Sequence, residues 1–301
     1  MTTLETTRIS LATGVTLKVA QAGPKDAPAI IFLHGFPESH RTWRHVAPAL
    51  ADRYRVIVPD QRGFGGSDKP EGVDAYRAQE CIADLCALAD AYGIDRFTLV
   101  GHDWGGAIAW GAALTRPERL DRLVIVNAPH PHIFQRSLIE DPAQRAASQY
   151  ITAFRNPMME RTIDAMGIET FFAKSFGGHV DLALIPTGER QAYLDDWQQP
   201  GALTAMLNWY RASPLVVPAV GEDAPPGGRT PFPTLTVPTL VIWGMMDKAL
   251  LPIQLDGLDA MVADLTLRRV EDAGHFVPWE KPEPVIEAIG AFMTTPPAPS
   301  R

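Results

Sequence analysis

Three residues in this sequence have the types and the order needed for covalent chemistry: Asp103, Asp247 and His275. Each lies at the end of a segment that reads as a strand. Asp103 comes after Phe97-Thr98-Leu99-Val100, Asp247 after Leu240-Val241-Ile242-Trp243-Gly244, and His275 lies in Asp272-Ala273-Gly274-His275-Phe276. A nucleophile, a carboxylate to orient a histidine, and a histidine to activate water make a working set. Here the nucleophile is itself a carboxylate, and that restricts the reaction. Serine attacking a carbonyl leaves an ester that water can cleave, whereas serine attacking saturated carbon leaves an ether that it cannot. A carboxylate attacking saturated carbon leaves an ester whose carbonyl belongs to the enzyme, open to water activated by His275. With an ordinary pKa of about 3.9, Asp103 is ionised at neutral pH and needs no base. Displacement at an alkyl carbon is therefore expected, and esterases, lipases and peptidases are disfavoured.

Such a nucleophile must be held out of the chain. In Gly101-His102-Asp103-Trp104-Gly105-Gly106 the glycines two places either side of Asp103 suit a sharp turn from the buried strand Phe97–Val100 into a helix starting with Ala107-Ile108-Ala109-Trp110. Ala29–Leu33 reads as a central strand ending in His34-Gly35-Phe36-Pro37-Glu38-Ser39, with Ser39 capping a helix that carries Trp43, Val46 and Leu50. The backbone N–H groups of Phe36 and Trp104 are the expected donors to an oxyanion on Asp103, and His34 is expected to be structural. The Phe36-Pro37 bond is a candidate for the cis form.

Around these loops the pattern is regular. Residues 7–21 read as a hairpin turning at Thr13-Gly14, Arg55–Pro59 and Leu123–Val126 as strands, and Ala75–Tyr92 as a helix. From Pro131 to Arg229 the strand–helix alternation stops and helical spacing takes over, across Ala146–Phe154, Thr162–Phe172 and Leu203–Tyr210. Pro218–Pro233 reads as a linker. Alternation then resumes with Thr239–Trp243, a helix around Ile253–Val262, a strand Thr266–Val270 and a helix Pro282–Met293, before a Pro-rich tail from Thr294 expected to fray. Alternating strands and helices imply a mostly parallel sheet covered on both faces, with its site at the carboxyl ends of the strands.

The chain has 301 residues, 46% hydrophobic and 21% charged, and its net charge of −8 with no basic run argues against nucleic acid or anionic membranes as partners. The amino terminus lacks a signal-peptide layout, and no apolar run is long enough to span a bilayer. Cys81 and Cys86 would stand about 140° apart on a helix, so they are read as unpaired thiols in a reducing cytoplasm. A homodimer is compatible with all of this.

The order Asp103, Asp247, His275 on these elements resembles the α/β-hydrolase superfamily, from about Thr6 to Met293. The resemblance implies an α/β-hydrolase core in two parts, residues 1–130 and 233–301, with a helical lid over 131–232. Within the superfamily, His34–Ser39, Gly101–Gly106 and Asn127-Ala128-Pro129 resemble epoxide hydrolases segment by segment. Leu207-Asn208-Trp209-Tyr210-Arg211 looks like the lid segment that presents one ring-opening tyrosine in those enzymes. Gln149-Tyr150-Ile151-Thr152-Ala153-Phe154 looks like the segment presenting the other, with Tyr193 as its competitor. The resemblance implies hydrolysis of a small apolar epoxide by water to a vicinal diol, without metal or organic cofactor, in a pocket lined by Phe36, Trp104, Phe154 and Leu207. Haloalkane dehalogenases share the elbow but commonly carry a polar halide-binding residue where this chain has Phe36. Fluoroacetate dehalogenases place Arg where this chain has Trp104. Dehalogenation is the first alternative, and a non-catalytic ligand-binding member of the fold the second.

Overall fold

The computed structural model describes residues 2–222 and 232–295. Eight strands pair into one sheet: β1 (Glu5–Ser10), β2 (Thr16–Ala22), β3 (Ala29–Leu33), β4 (Arg55–Pro59), β5 (Phe97–His102), β6 (Leu120–Val126), β7 (Thr239–Gly244) and β8 (Leu265–Val270). Their spatial order is β1-β2-β4-β3-β5-β6-β7-β8. β2 pairs antiparallel with β1 and β4, and every other pairing is parallel. This is the mostly parallel α/β-hydrolase sheet implied by the sequence.

Parallel neighbours need crossover segments, and those cover both faces. Hence β3, β5 and β7 are buried at every position. Alternate residues feed two cores. Ile31, Leu33, Leu99, Ile125 and Val241 join the core that includes Leu85 and Leu88, while Ile30, Phe32, Val100, Val124 and Ile242 join Val46, Leu50, Val285 and Ile289. The chain leaves β3 for β4 on one side and returns to β5 on the other. That reversal opens a crevice at the carboxyl ends of β3 and β5, where ligands bind in such sheets.

Between β6 and β7 the described residues form seven α-helices: Pro131–Glu140, Pro142–Ala147, Gln149–Arg155, Met159–Met166, Ile168–Gly177, Thr187–Trp197 and Ala202–Arg211. Several stretches expected to be single helices are broken. Ala146–Phe154 divides at Ser148, Thr162–Phe172 at Gly167 (φ +84°), and Ile253–Val262 at Gly257 (φ +87°). Apolar periodicity continues across such a break because both pieces pack on the same core; the positive φ of the two glycines ends the helical hydrogen-bond ladder, and Ser148 leaves helical geometry at φ −96° and ψ 4°. The expected helix over Trp43 to Leu50 likewise divides, into a 3₁₀ turn His40–Trp43 whose cap is the Ser39 side chain, and a short α-helix Val46–Leu50. Most of the expected linker (223–231 of Pro218–Pro233) and the tail beyond Thr295 lie outside the described residues. Among the described residues no helix is long and apolar enough to cross a membrane.

Candidate active site

Asp103 stands between β5 and the helix Trp104–Thr115 with φ +50° and ψ −121°, a backbone conformation that costs a non-glycine residue about 1–3 kcal/mol. The turn around it is too tight for side chains: a Cβ on Gly101 would lie 2.4 Å from the Gly105 carbonyl oxygen. One Asp103 oxygen, Oδ1, accepts the Phe36 N–H at 2.7 Å. A Cβ on Gly35 would lie 2.2 Å from that same oxygen, so the loop after β3 needs glycine there to come this close. The Phe36-Pro37 bond is cis. Trp104 opens the helix, so its N–H has no carbonyl within the helix to bond.

The other oxygen, Oδ2, lies 3.6 Å from His275 Nε2. On the far side of the ring, His275 Nδ1 donates to Asp247 Oδ2 at 2.7 Å. Asp247 is fixed in turn: its Oδ2 also accepts from Asn127 Nδ2 at 2.8 Å, and its Oδ1 accepts the N–H groups of Ala249 and Leu250 at 2.8 and 2.9 Å. Three strand ends thus bring Asp103, His275 and Asp247 into one line. Asn127, at the end of β6 with φ +40°, is the part of this frame whose role was not anticipated; the Asn127-Ala128-Pro129 turn was the only signal.

Above the line lies a cavity of about 350 Å³ whose walls include Asp103, His275, Phe36, Tyr150, Phe154 and Tyr210. The Tyr150 and Tyr210 rings are 6.1 Å apart, and Tyr210 packs edge-on against Phe36 at 5.0 Å. Two expected wall residues sit elsewhere. Leu207 is 1% exposed among core side chains, and Trp104 lies behind Tyr210 with ring centroids 5.2 Å apart; neither is in the cavity lining. Tyr193 is also outside it, packed on Phe176 and Trp197 with its hydroxyl donating to Glu38 Oε1 at 3.2 Å. The structure adds wall residues that sequence reasoning missed, chiefly His179, Lys174 and Lys248. Lys248 adjoins Asp247, but nothing in the text around His179 marks it.

A family model for the α/β-hydrolase fold matches residues 28–282. The chain belongs to the α/β-hydrolase family. This hydrolase is 39% identical to the AB hydrolase superfamily protein YfhM of Bacillus subtilis, over 93% of this chain and 95% of that one. It is 31% identical to Epoxide hydrolase A of Mycobacterium tuberculosis, over 96% and 97%. Among solved structures it matches one described as novel epoxide hydrolases from metagenomes of hot environments, with TM-score 0.91, 49% identity, and coverage of 98% and 100%. The hydrolase thus resembles epoxide hydrolases along nearly its whole length.

The electrostatics of the hydrolase's site follow from burial and pairing. Burial alone would raise Asp103, but the neighbouring His275 and the Phe36 N–H outweigh it and hold the carboxyl below its ordinary value. Asp247 is likewise held down against burial by His275 and its three donors. His275, which burial would lower, is raised well above its ordinary value by the two carboxylates. Burial pushes both Tyr150 and Tyr210 upward, so their hydroxyls keep their protons. His34 is lowered to about 4 by burial; its Nε2 accepts from Gln61 N at 3.0 Å, which leaves Nδ1–H to donate to the Gly35 carbonyl. Among the described residues no cluster of three or more His, Cys, Asp or Glu could hold a metal ion.

Proposed function

We propose that this hydrolase converts an epoxide and water into a vicinal diol through an ester on Asp103, with residues 131–232 acting as a lid over the site. The observation that carries this reading is that two protonated tyrosines on different inserted helices share one cavity with Asp103 and His275. Displacing a halide needs no proton, whereas opening an epoxide releases an alkoxide that does.

Asp103 Oδ2 attacks one ring carbon and the C–O bond breaks. The departing oxygen, bonded by Tyr150 and Tyr210, takes a proton from one of them. Esterification removes the Asp103 charge that helped keep His275 protonated, so the imidazolium gives its proton, through solvent, to the tyrosinate left by ring opening and becomes the base. Water deprotonated by His275, which Asp247 orients, attacks the Asp103 carboxyl carbon. Charge then grows on Oδ1, where Phe36 N–H already donates and Trp104 N–H is available. Collapse of that intermediate breaks the Cγ–Oδ2 bond; the departing oxygen takes a proton from His275, the new Asp103 carboxyl gives one back to the imidazole, and the diol leaves with the carboxylate restored. Phe36 and Phe154 supply the apolar wall, which favours a small, largely apolar epoxide. Free Cys81 and Cys86 suit a reducing cytoplasm as the working compartment.

Incubation with styrene oxide tests the reaction class. The expected product is the diol; halide release from a bromoalkane without diol formation from the epoxide would contradict the proposal, as would tight binding without turnover.

A further inference from the structure

The loop that carries the Phe36 N–H is held from two sides. Upstream, the core grips His34, whose carbonyl accepts from the Gln61 side chain at 2.6 Å. Downstream, among the described residues, every polar tie to the inserted region comes from one helix, Thr187–Trp197. Trp197 Nε1 donates to the Pro37 carbonyl at 2.9 Å, Tyr193 Oη donates to Glu38 Oε1 at 3.2 Å, and Arg41 Nη1 bonds both carboxylate oxygens of Glu189 at 3.1 and 3.2 Å. Glu189, Tyr193 and Trp197 are spaced four apart, so they form one stripe along the helix. That stripe meets residues 37, 38 and 41, immediately after the donor. Tyr193 and Trp197 are 1% and 3% exposed, so water does not compete for these bonds.

We propose that Glu189, Tyr193 and Trp197 are positioning residues that clamp this loop so that Phe36 N–H is aimed at Asp103 Oδ1 during hydrolysis of the ester. The inference rests on the epoxide hydrolase reading above. Its consequence is selective. In the alkylation step Oδ1 loses charge as Oδ2 attacks, so a slack donor costs little. In the hydrolytic step Oδ1 gains a full charge, and the donor's aim matters most. A loosened clamp therefore slows breakdown of the ester and spares its formation.

Steady-state and single-turnover kinetics on styrene oxide test this. When hydrolysis alone is slowed, kcat and KM fall by the same factor and kcat/KM, which reports steps up to alkylation, is kept. Tyr193→Phe and Trp197→Phe are each expected to lower kcat and KM together by about 5–20-fold, with kcat/KM within about twofold of wild type and ester accumulating. Arg41→Glu should do the same, and adding Glu189→Arg to it should restore the rate. A fall in kcat/KM matching that in kcat would mean that the helix only shapes the cavity, and unchanged kcat and KM would mean that the contacts are inert; either overturns the clamp. If one aromatic variant fails to fold, the charge-swapped pair decides. A wild-type enzyme that makes no diol refutes the parent reading instead.

Discussion

At the scale of single residues, the roles separate into steps that can be stopped one at a time. Replacing His275 with Gln removes the base but leaves Asp103 ionised and Tyr150 and Tyr210 in place. Turnover is expected to fall by at least about 10³-fold. Mass spectrometry should then find the protein heavier by one epoxide, whereas Asp103→Asn should carry no adduct. In the proposed mechanism the tyrosines act before the ester exists. Tyr210→Phe and Tyr150→Phe should each lower kcat/KM by about 10–100-fold, and the double variant should abolish ring opening. Acidity has a definite sign as well. Ester hydrolysis needs neutral imidazole, so kcat should drop as pH falls through the His275 pKa of the ester form. That pKa lies below the raised value of the free enzyme, because the Asp103 charge is gone. The residues that meet at the site were legible because Asp103 and Asp247 follow apolar runs that read as strands, while His275 follows the partly polar strand Leu265–Val270 and was found by its order after them. Asn127 also ends an apolar run, but nothing in the sequence says that its side chain meets Asp247, and His179 follows no such run; both places depend on elements that meet only in three dimensions.

At the scale of elements, two contacts connect stability to the site. Arg155, ending the helix that carries Tyr150, donates to the carbonyls of Tyr210, Leu215 and Ser213 at 3.0, 2.8 and 3.0 Å, so one guanidinium ties the two tyrosine helices together. Arg155→Met should destabilise the fold by about 2–3 kcal/mol in urea melts and lower kcat/KM, because the tyrosines lose their common frame. Glu38 is the second case. Burial raises its carboxyl to about 7, and its Oε2 sits unbonded 3.6 Å from His102 Nδ1. His102 Nε2 donates to the His275 carbonyl at 2.8 Å, which leaves Nδ1 as an acceptor that only a protonated Glu38 can serve. Between the unfolded value of about 4.5 and the folded value of about 7, the folded state binds the extra proton. Stability therefore falls as pH rises through that window and the loss is complete above it. Glu38→Gln keeps the acceptor for Tyr193 and offers an amide to His102. Its stability relative to wild type should grow by about 2–3 kcal/mol from pH 4.5 to pH 7.5, measured by chemical denaturation. The central strands were the most legible elements, because burial on both faces makes β3, β5 and β7 nearly continuous apolar runs. The inserted helices were legible as helical but not in their breaks at Ser148 and Gly167 or in their rotation. Periodicity marks Tyr210 and Leu207 as members of one helix without saying that the first faces the cavity and the second the core.

At the scale of the whole molecule, one sheet delivers loops from β3, β5, β6, β7 and β8 to a single edge, and the insertion after β6 supplies the two hydroxyls above it. Division of labour follows from that plan. In the proposed mechanism the sheet fixes the nucleophile and the water-activating histidine, and the insertion adds the proton donors and the apolar wall that decide what is attacked. Fold class could be anticipated because it rests on patterns every parallel sheet must satisfy, whereas the strand order β1-β2-β4-β3-β5-β6-β7-β8 came only with the structure. Substrate size could not, because it depends on how seven short helices settle on one another. The central claim, an ester on Asp103, has a direct test in single turnover of an excess of enzyme in ¹⁸O-water. The mechanism predicts that the first diol carries unlabelled oxygen from the enzyme and that one ¹⁸O appears in the Asp103 carboxylate, found in the peptide that contains Gly101–Gly106. Label entering that first diol directly, with none in Asp103, would contradict it.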